Sequence, residues 1–318
     1  MDVVKGHAEY RKIAGNYTIP LHLTPEWLDA LSPRNWDSIL ILNKDTDLLG
    51  LIVYSEYQKG PFRVIKMPPL TTYSGPFLNY PSGMKMHNRR SFEKQIMNLI
   101  LENLPPVHFY YQQWLPEVDN WLPWMWKNYR QTTLYTYRIS PQDPQELYPK
   151  LRGNVRTDLN KARTTIQVSL SDNLTELFEL VSMSYANRDV KVPFSWDQLK
   201  SLDVALKKTQ KRKIYAAHYQ GKMVSAIYMA YDHDIAYYLT GGLDRDFRST
   251  AAKSLCIWSA IEDAMHNGLI FDFEGSDIPD LEHFFRGWGS QLTPYFKVFK
   301  AKNLLFKLAT MMKYNGYY

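Results

Sequence analysis

Residues 213–242, KIYAAHYQGKMVSAIYMAYDHDIAYYLTGG, decide the fold of the second half of the chain. Short runs rich in apolar and aromatic residues, separated by turn residues such as Gln220-Gly221, are typical of β-hairpins. The stretch therefore predicts a three-strand antiparallel meander. Its strands run from Lys213 to Tyr219, Lys222 to Tyr231 and Ile235 to Thr240.

The sequence on either side of the meander predicts helices and further strands. After Gly241-Gly242, an apolar stripe that includes Leu255 and Trp258 predicts a helix from Ser249 to His266, which ends at Asn267-Gly268. Together these elements predict a mixed sheet with helices on both faces. The other elements are helices near 173–186 and 195–208, a strand at 269–274, a short helix at 279–288 and a strand at 295–300.

The first half repeats this order without obvious residue identity, so two similar α/β units are predicted. Proline and polar residues in Ser140 to Pro149 interrupt the periodicity and mark the join. The predicted domains are residues 1–145 and 146–318. Ala301 to Tyr318 forms a basic amphipathic pattern, which we expect to be a helix packing back on the first domain; binding to a membrane surface is the alternative. The first-half strands lie at 38–42, 48–54, 62–67, 107–112 and 132–139, with helices at 89–103 and 118–126.

Composition limits the class of protein. The chain has 318 residues, a formal net charge of +6 and one cysteine, Cys256, which excludes an intrachain disulfide. We expect a reducing, cytoplasmic setting, because the sequence shows no signal-peptide pattern and no apolar run long enough to span a bilayer. The positive charge favours anionic partners. No paired Cys/His cluster predicts a metal site.

Several motifs resemble the Fem-like transferases of the GNAT superfamily. The segment from Asn154 to Ala162 looks like the helix that opens the second domain of that family. Three successive segments are similar to the core motifs of that domain: Tyr238 to Gly242, the helix with Leu255 and Trp258, and Phe271 to Ser276. Four segments of the first half resemble the first domain of the same family: Pro68 to Thr71, Gly75-Pro76, Leu122 to Trp124 and Thr133 to Tyr137.

This resemblance implies two tandem GNAT-like domains that face a cleft, and transfer of an acyl or aminoacyl group to an amine. Two departures from ordinary GNAT enzymes stand out. Their glycine-rich phosphate loop appears here as Arg248-Ser-Thr-Ala251-Ala-Lys253, and their general-acid tyrosine falls on Phe285, ahead of Gly289. Phenylalanine cannot protonate a leaving thiolate.

Two carboxylates are the candidate catalytic groups. If the strand at 269–274 is regular, Asp272 and Glu274 share one face with side chains about 7 Å apart, because a strand rises about 3.3 Å per residue. Either carboxylate could take a proton from an ammonium acceptor. The structural alternative is a partner for a buried arginine or a helix cap.

Binding residues are predicted at two places. A helix start favours an anion such as a donor phosphate, and four residues flank the predicted one: Arg248, Ser249, Thr250 and Lys253. Tyr238, in the motif that precedes this helix, is also predicted to bind the donor. For the acceptor, the prediction is Tyr73 in the aromatic loop Pro68 to Gly83, together with Trp124, Arg156, Tyr185 and Arg188.

The sequence thus predicts an N-acyltransferase that uses acyl-CoA as a co-substrate, with no permanently bound cofactor. The acceptor is an amine on an amino sugar, an amino acid or a cell-envelope precursor. Two alternatives stay open: a tRNA-dependent aminoacyltransferase, and a non-catalytic module that keeps the fold after losing the acid tyrosine and the glycine loop.

Overall fold

The computed structural model describes residues 1–275 and 279–302, and the chain divides into two compact units. The first unit comprises Met1–Leu134 and the residues from Pro294 onward, and the second comprises Tyr135–Thr293. This division differs from the predicted 1–145 and 146–318 at both ends of the second domain. The predicted helix at 301–318 lies almost entirely outside the described residues.

The first unit is a mixed sheet with helices on it. Its strands follow the order β1-β2-β3-β4-β6-β13, and β5 pairs with β3. Neighbouring strands are antiparallel except β4 and β6, which are parallel. The elements are β1 (Asp2–Lys5), α1 (His7–Ala14), α2 (Pro25–Leu31), β2 (Trp36–Leu42), β3 (Leu48–Lys59), β4 (Phe62–Ile65), β5 (Gly75–Leu78), α3 (Met86–Asn103), β6 (Phe109–Gln113), α4 (Leu122–Trp126) and, from the end of the sequence, β13 (Gln291–Ala301).

The second unit has the same topology. Its strands follow the order β7-β12-β11-β10-β9-β8, and only β11 and β12 are parallel. The elements are β7 (Arg130–Ile139), α5 (Pro144–Leu147), α6 (Gly153–Ala162), β8 (Gln167–Ser171), α7 (Leu174–Ala186), α8 (Trp196–Lys208), β9 (Arg212–Tyr219), β10 (Lys222–Tyr231), β11 (Ile235–Leu243), α9 (Ala252–His266), β12 (Ile270–Asp272) and α10 (Pro279–Arg286).

The repeat confirms the mixed α/β class. In each unit an antiparallel meander leads to a long helix and then to a short strand parallel to the last meander strand. The strand that follows this short strand in each sheet comes from the other half of the sequence. Strand β7 pairs with β12 in the second unit, and β13 pairs with β6 in the first.

The core of the second unit lies between the sheet and α9. This helix packs on β9, β10 and β11, and its buried residues include Cys256 and Trp258. Burial raises the pKa of the Cys256 thiol, so the thiol stays protonated and acts as an apolar group. Helix α7 also packs on β10 and β11. None of the helices within residues 1–275 and 279–302 is long and apolar enough to cross a membrane.

Candidate active site

Strands β11 and β12 pair over only three residues. Ile235–Tyr237 lie opposite Ile270–Asp272, after which β12 ends, whereas β11 continues to Leu243. Within the described part of the chain, β11 therefore has no strand neighbour on this side from Tyr238 onward. The carboxyl ends of two parallel strands meet at the same edge of a sheet, so this opening brings together the residues that follow both strands.

A β-bulge marks the start of the opening. On β10, Tyr228 and Met229 pair with Thr240 and Tyr238, so Leu239 is an extra residue in β11. A bulge interrupts the ladder and leaves the extra residue unpaired, and bulges are common beside active sites.

Two glycines let other groups approach β11 closely. A Cβ on Gly242 would lie 2.1 Å from the carbonyl carbon of Leu180 in α7, and one on Gly241 would lie 2.7 Å from the hydroxyl oxygen of Tyr238. Ser184 of α7 replaces a strand neighbour here, because its Oγ accepts a hydrogen bond of 2.9 Å from the backbone N–H of Leu243. The glycine pair thus positions the strand end against α7.

The basic segment before α9 is not the helix start that the sequence predicts. Residues Arg245–Thr250 form a 3₁₀ turn, and α9 begins at Ala252. The residue between them, Ala251, has φ 56° and ψ 25°, a left-handed conformation that favours glycine. Alanine therefore replaces a glycine of the family's loop but keeps a backbone shape suited to glycine. Arg248 and Ser249 are exposed, and the Thr250 hydroxyl donates to the Phe247 carbonyl.

Lys253 and Tyr238 connect this segment to β11. The Lys253 ammonium donates to the Gly241 carbonyl over 3.3 Å and lies 5.9 Å from the centre of the Tyr238 ring. A lysine in the first turn of α9 is thus directed toward the open end of β11 rather than into solvent.

Tyr185 and Arg188 lie near the same place. Burial raises the pKa of the Tyr185 hydroxyl, nearby Tyr238 raises it further, and Arg188 lowers it. Tyr185, a predicted acceptor residue, is thus within electrostatic range of Arg188 and of the predicted donor residue Tyr238.

Asp272 has the structural partner that the sequence analysis weighed as an alternative. Its fully buried carboxylate accepts from Arg138 Nε over 2.7 Å, from the Thr136 hydroxyl over 2.6 Å and from the Glu274 backbone N–H over 2.7 Å. These donors and the salt bridge with Arg138 fix the carboxylate in one position. This environment favours a positioning role for Asp272.

Glu274 does not share a strand face with Asp272, because the predicted alternation ends where β12 ends. Glu274 has φ 58° and Gly275 has φ 77°, so two consecutive residues are left-handed. A Cβ on Gly275 would lie 2.5 Å from the Tyr135 carbonyl oxygen, which explains why this position has no side chain. Glu274 is partly buried. A glutamate with positive φ at a strand end is a strained position of the kind that clusters at active sites.

Aromatic residues pack behind this turn. Phe285 is buried and stacks on Phe273 with ring centres 4.7 Å apart, and Tyr238 lies 6.4 Å from both rings. The residue that replaces the family's acid tyrosine is therefore a core residue.

The other three predicted acceptor residues differ in their exposure. Tyr73 is fully buried between His22 and Tyr295, and Trp124 is fully buried against Tyr129. Neither ring has a surface that an acceptor could contact. Arg156 is exposed on α6, a helix whose inward residues are Val155, Leu159 and Ala162.

Sequence reasoning missed Thr136, Arg138 and Ser184. The first two alternate along a strand that the sequence does predict, so period-two alternation could have placed them on one face. Nothing in the local sequence indicates that Ser184 caps a strand end. Among the described residues, no group of three or more His, Cys, Asp or Glu side chains could hold a metal ion.

Comparisons with known proteins agree with this geometry. Residues 149–286 match the family described as "Acetyltransferase (GNAT) domain". The structure of FemX superposes with a TM-score of 0.67 at 11% identity, covering 93% of this chain and 97% of that chain. No curated protein sequence matches the chain.

Two further solved structures share the fold. The C-terminal domain of a lysylphosphatidylglycerol synthetase candidate from Agrobacterium fabrum has a TM-score of 0.55 at 11% identity, covering 96% of this chain and 94% of that one. L-PGS from Bacillus licheniformis has a TM-score of 0.50 at 12% identity, covering 86% and 87%.

The second unit therefore contains a GNAT-type acetyltransferase domain. The fold that the predicted resemblance implies is confirmed, because the chain has the fold of the FemX structure.

Proposed function

We propose that this chain is an N-acyltransferase that moves an acyl group from acyl-CoA to an amine. The observation that carries the proposal is the opening between β11 and β12, which lies beside Lys253 and the basic segment before α9. The GNAT domain match over residues 149–286 supports acyl transfer as the reaction class.

The open edge of β11 suits the donor. Backbone N–H and C=O groups at an unpaired strand edge can pair with an extended ligand, as they do when a peptide adds a strand. The arm of CoA carries two amides and can make such bonds beyond Tyr238. The bulge at Leu239 frees backbone groups that could bind the acyl carbonyl as negative charge develops on its oxygen.

The phosphates of the donor would lie at the start of α9. The first N–H groups of a helix lack intrahelical partners, and the helix dipole favours an anion there. Arg248 and Lys253 add two positive charges at this end, and the left-handed Ala251 keeps the backbone turned as a glycine would.

Glu274 is the proposed base, and Asp272 is its positioning residue. Asp272 holds the Glu274 backbone N–H, so the buried ion pair with Arg138 fixes the turn that carries Glu274. Glu274 takes one proton from the acceptor ammonium, and the free amine attacks the acyl carbonyl. The C–S bond then breaks, the nitrogen loses its second proton to water, and the thiolate receives a proton from water or from a residue other than Phe285.

The acceptor side is proposed to include Arg188 and Tyr185, whose hydroxyl is within electrostatic range of Tyr238 and of Arg188. Arg188 is exposed and could bind a carboxylate or phosphate of the acceptor. An amino acid, an amino sugar and a cell-envelope precursor all meet this requirement, and aminoacyl-tRNA is the alternative donor.

Donor binding tests the proposal. We expect acetyl-CoA to raise the melting temperature of the wild-type chain and Arg248→Ala with Lys253→Ala to weaken binding at least about tenfold, since each cation contacts phosphate. The matched control is Lys207→Ala with Lys208→Ala, which removes two positive charges at the C-terminal end of α8. The acyl-CoA proposal fails if no acyl-CoA binds, or if the loop variant binds as the wild type does.

The same assay addresses the alternatives. If only an aminoacyl-tRNA analogue binds, with strong salt dependence, the tRNA-dependent reaction replaces the acyl-CoA reaction. Binding of a donor without release of free thiol, across a panel of amines, would favour the non-catalytic module.

A further inference from the structure

Helix α4 in the first unit turns an apolar face to solvent. Leu122, Met125 and Trp126 are 45%, 41% and 54% exposed, whereas Trp124 is fully buried. Residues at positions i, i+3 and i+4 of a helix lie side by side, so the three exposed side chains form one continuous surface. Helices normally bury such a face.

A basic groove lies on one side of Trp126. Its volume is about 490 Å³, and Lys127, Lys300 and Lys302 line it together with Tyr129. The Lys300 ammonium donates to the Lys127 carbonyl over 2.6 Å and lies 4.7 Å from the centre of the Tyr129 ring. Burial lowers the pKa of Lys300, and the neighbouring charges of Lys302 and Lys127 lower it further.

A second groove lies on the other side of Trp126. Its volume is about 640 Å³, and Arg90 and Lys94 line it. The Lys94 ammonium lies 5.3 Å from the centre of the Trp126 ring, and Arg90 binds Asp119 over 2.7 Å. Arg90 also binds Glu93 over 2.9 Å, so its charge is neutralised and Lys94 carries the positive charge on this side of the apolar face.

The positive charge exceeds the negative charge on this surface. The two grooves together hold five cationic side chains and two carboxylates, Glu102 and Asp119. Across residues 1–275 and 279–302, none of the three lysines of the first groove forms a salt bridge with a carboxylate. Like charges held together without counter-ions cost free energy unless an anion binds.

We propose that the α4 surface, which is the apolar face of α4 with its two basic grooves, docks on an anionic phospholipid membrane. Trp126, Leu122 and Met125 enter the headgroup region, and the lysines contact lipid phosphates. Tryptophan favours this interface because its ring is apolar and its N–H is polar, and lysine stems lie along apolar surface while their ammonium groups reach the phosphates.

Other occupants fit these observations less well. A soluble anion would neutralise the lysines but leave the apolar face exposed to water. A protein partner would have to bury several lysines, which are depleted in protein interfaces. A membrane uses both features at once, because interfacial binding grows with the buried apolar area and with the attraction of basic residues to anionic lipids.

Vesicle sedimentation with the full chain tests this docking. We expect cosedimentation with phosphatidylcholine vesicles that contain phosphatidylglycerol, but not with phosphatidylcholine alone, and release by salt. The triple variant Leu122→Ser/Met125→Ser/Trp126→Ser and the double variant Lys127→Gln/Lys302→Gln should each weaken binding about tenfold or more.

Matched variants elsewhere on the surface control for the loss of apolar area and charge. Leu170→Ser with Val204→Ser removes exposed apolar side chains, and Lys44→Gln with Lys59→Gln removes exposed charges; both should bind as the wild type does. Far-UV circular dichroism of each variant checks that it is folded.

Several outcomes would overturn the proposal. These are absence of binding to anionic vesicles, wild-type binding by both test variants, stabilisation by inorganic phosphate without vesicle binding, and a dimer that the triple serine variant converts to a monomer. Acyl-CoA binding is measured separately and does not depend on this surface, so the two proposals can fail independently.

Discussion

Asp272 accepts three hydrogen bonds at the end of β12, whereas Glu274 stands in the left-handed turn beyond it with its side chain partly exposed. Proton transfer to an acceptor requires a carboxylate that the acceptor can reach. Because Asp272 is buried and its carboxylate already accepts these hydrogen bonds, a structural role is favoured for it. Glu274 lies in a strained turn with its side chain partly exposed, so the catalytic role is favoured for Glu274.

Substitution of the two carboxylates separates these roles. We expect Asp272→Asn to lower the free energy of unfolding of the second unit by roughly 3 kcal/mol, because Arg138 would stay buried without its counter-ion. Glu274→Gln should leave stability nearly unchanged and lower turnover about a hundredfold. Urea denaturation and thiol release are measured side by side. Thr136→Val, which removes one hydrogen bond, should cost about 1 kcal/mol.

The reverse pattern would contradict this assignment: a stable but inactive Asp272→Asn together with an active Glu274→Gln would move the base to Asp272. The sequence predicted that one of the pair could serve a buried arginine. It did not identify Arg138, because that partner is 134 positions away and only the folded sheet pairs β7 with β12.

The left-handed backbone conformation of Ala251 predicts how substitutions there would change stability. The left-handed conformation costs a non-glycine residue about 1–2 kcal/mol, and glycine loses about 0.5–1 kcal/mol more backbone entropy than alanine on folding. Ala251→Gly should therefore stabilise the second unit slightly, by about 0.5 kcal/mol, and Ala251→Val should destabilise it. Thermal denaturation of both variants provides the measurement. Destabilisation by glycine would show that the alanine side chain contributes packing that outweighs the strain.

At the scale of elements, the close approach of β11 to α7 shapes the proposed donor site. Gly242 faces the α7 backbone with no room for a methyl group, whereas Gly268, after α9, has φ 67° and open space around it. Gly242→Ala should destabilise the second unit by several kcal/mol or displace α7, because backbone atoms cannot yield as a side chain can. Gly268→Ala should cost only about 1 kcal/mol, from its conformation.

Donor affinity distinguishes the effect of Gly242→Ala on the site from a general loss of stability. If α7 moves, Tyr185 and Ser184 move with it, so donor or acceptor binding should fall at temperatures where the variant is still folded. Equal effects of the two glycine variants would mean that the packing of α7 on β11 tolerates a methyl group.

Elements with strong local patterns were predicted well. The meander strands β9, β10 and β11 lie within a few residues of their predicted bounds, because alternating runs and turn residues are local signals. Strands β1, β5 and β8 and helices α1, α2 and α5 were not predicted. Strand β5 lies inside the Pro68 to Gly83 loop, where proline and glycine obscure a four-residue strand that only pairing with β3 stabilises.

Across the whole molecule, each unit depends on a strand from the other half of the sequence. Hydrophobic patterns show that β7 and β13 are strands, but they do not show which edge each strand joins, since β6 and β12 offer similar edges. The predicted domain boundaries placed both strands with their sequence neighbours, and the contacts place Pro294 onward with the first unit and Tyr135 onward with the second.

Because β13 pairs with β6, a substitution in β13 should affect the stability of β6. Val298 is fully buried in β13 and lies opposite Gln112 of β6. Val298→Pro removes a ladder donor and a buried side chain, so amides of β6 should lose protection against hydrogen exchange although the substitution lies near the other end of the chain. Amides of β9 and β10 should keep their protection, because both strands belong to the second unit.

A proline in β8 provides the reciprocal control. Ser169 lies opposite Ala216 of β9, so Ser169→Pro should expose amides of β9 and leave β6 protected. Hydrogen exchange read by mass spectrometry resolves both segments. If Val298→Pro exposed β9 and β10 as readily as β6, the two units would unfold as one cooperative block, and the strand exchange would link their stabilities rather than complete the first unit alone.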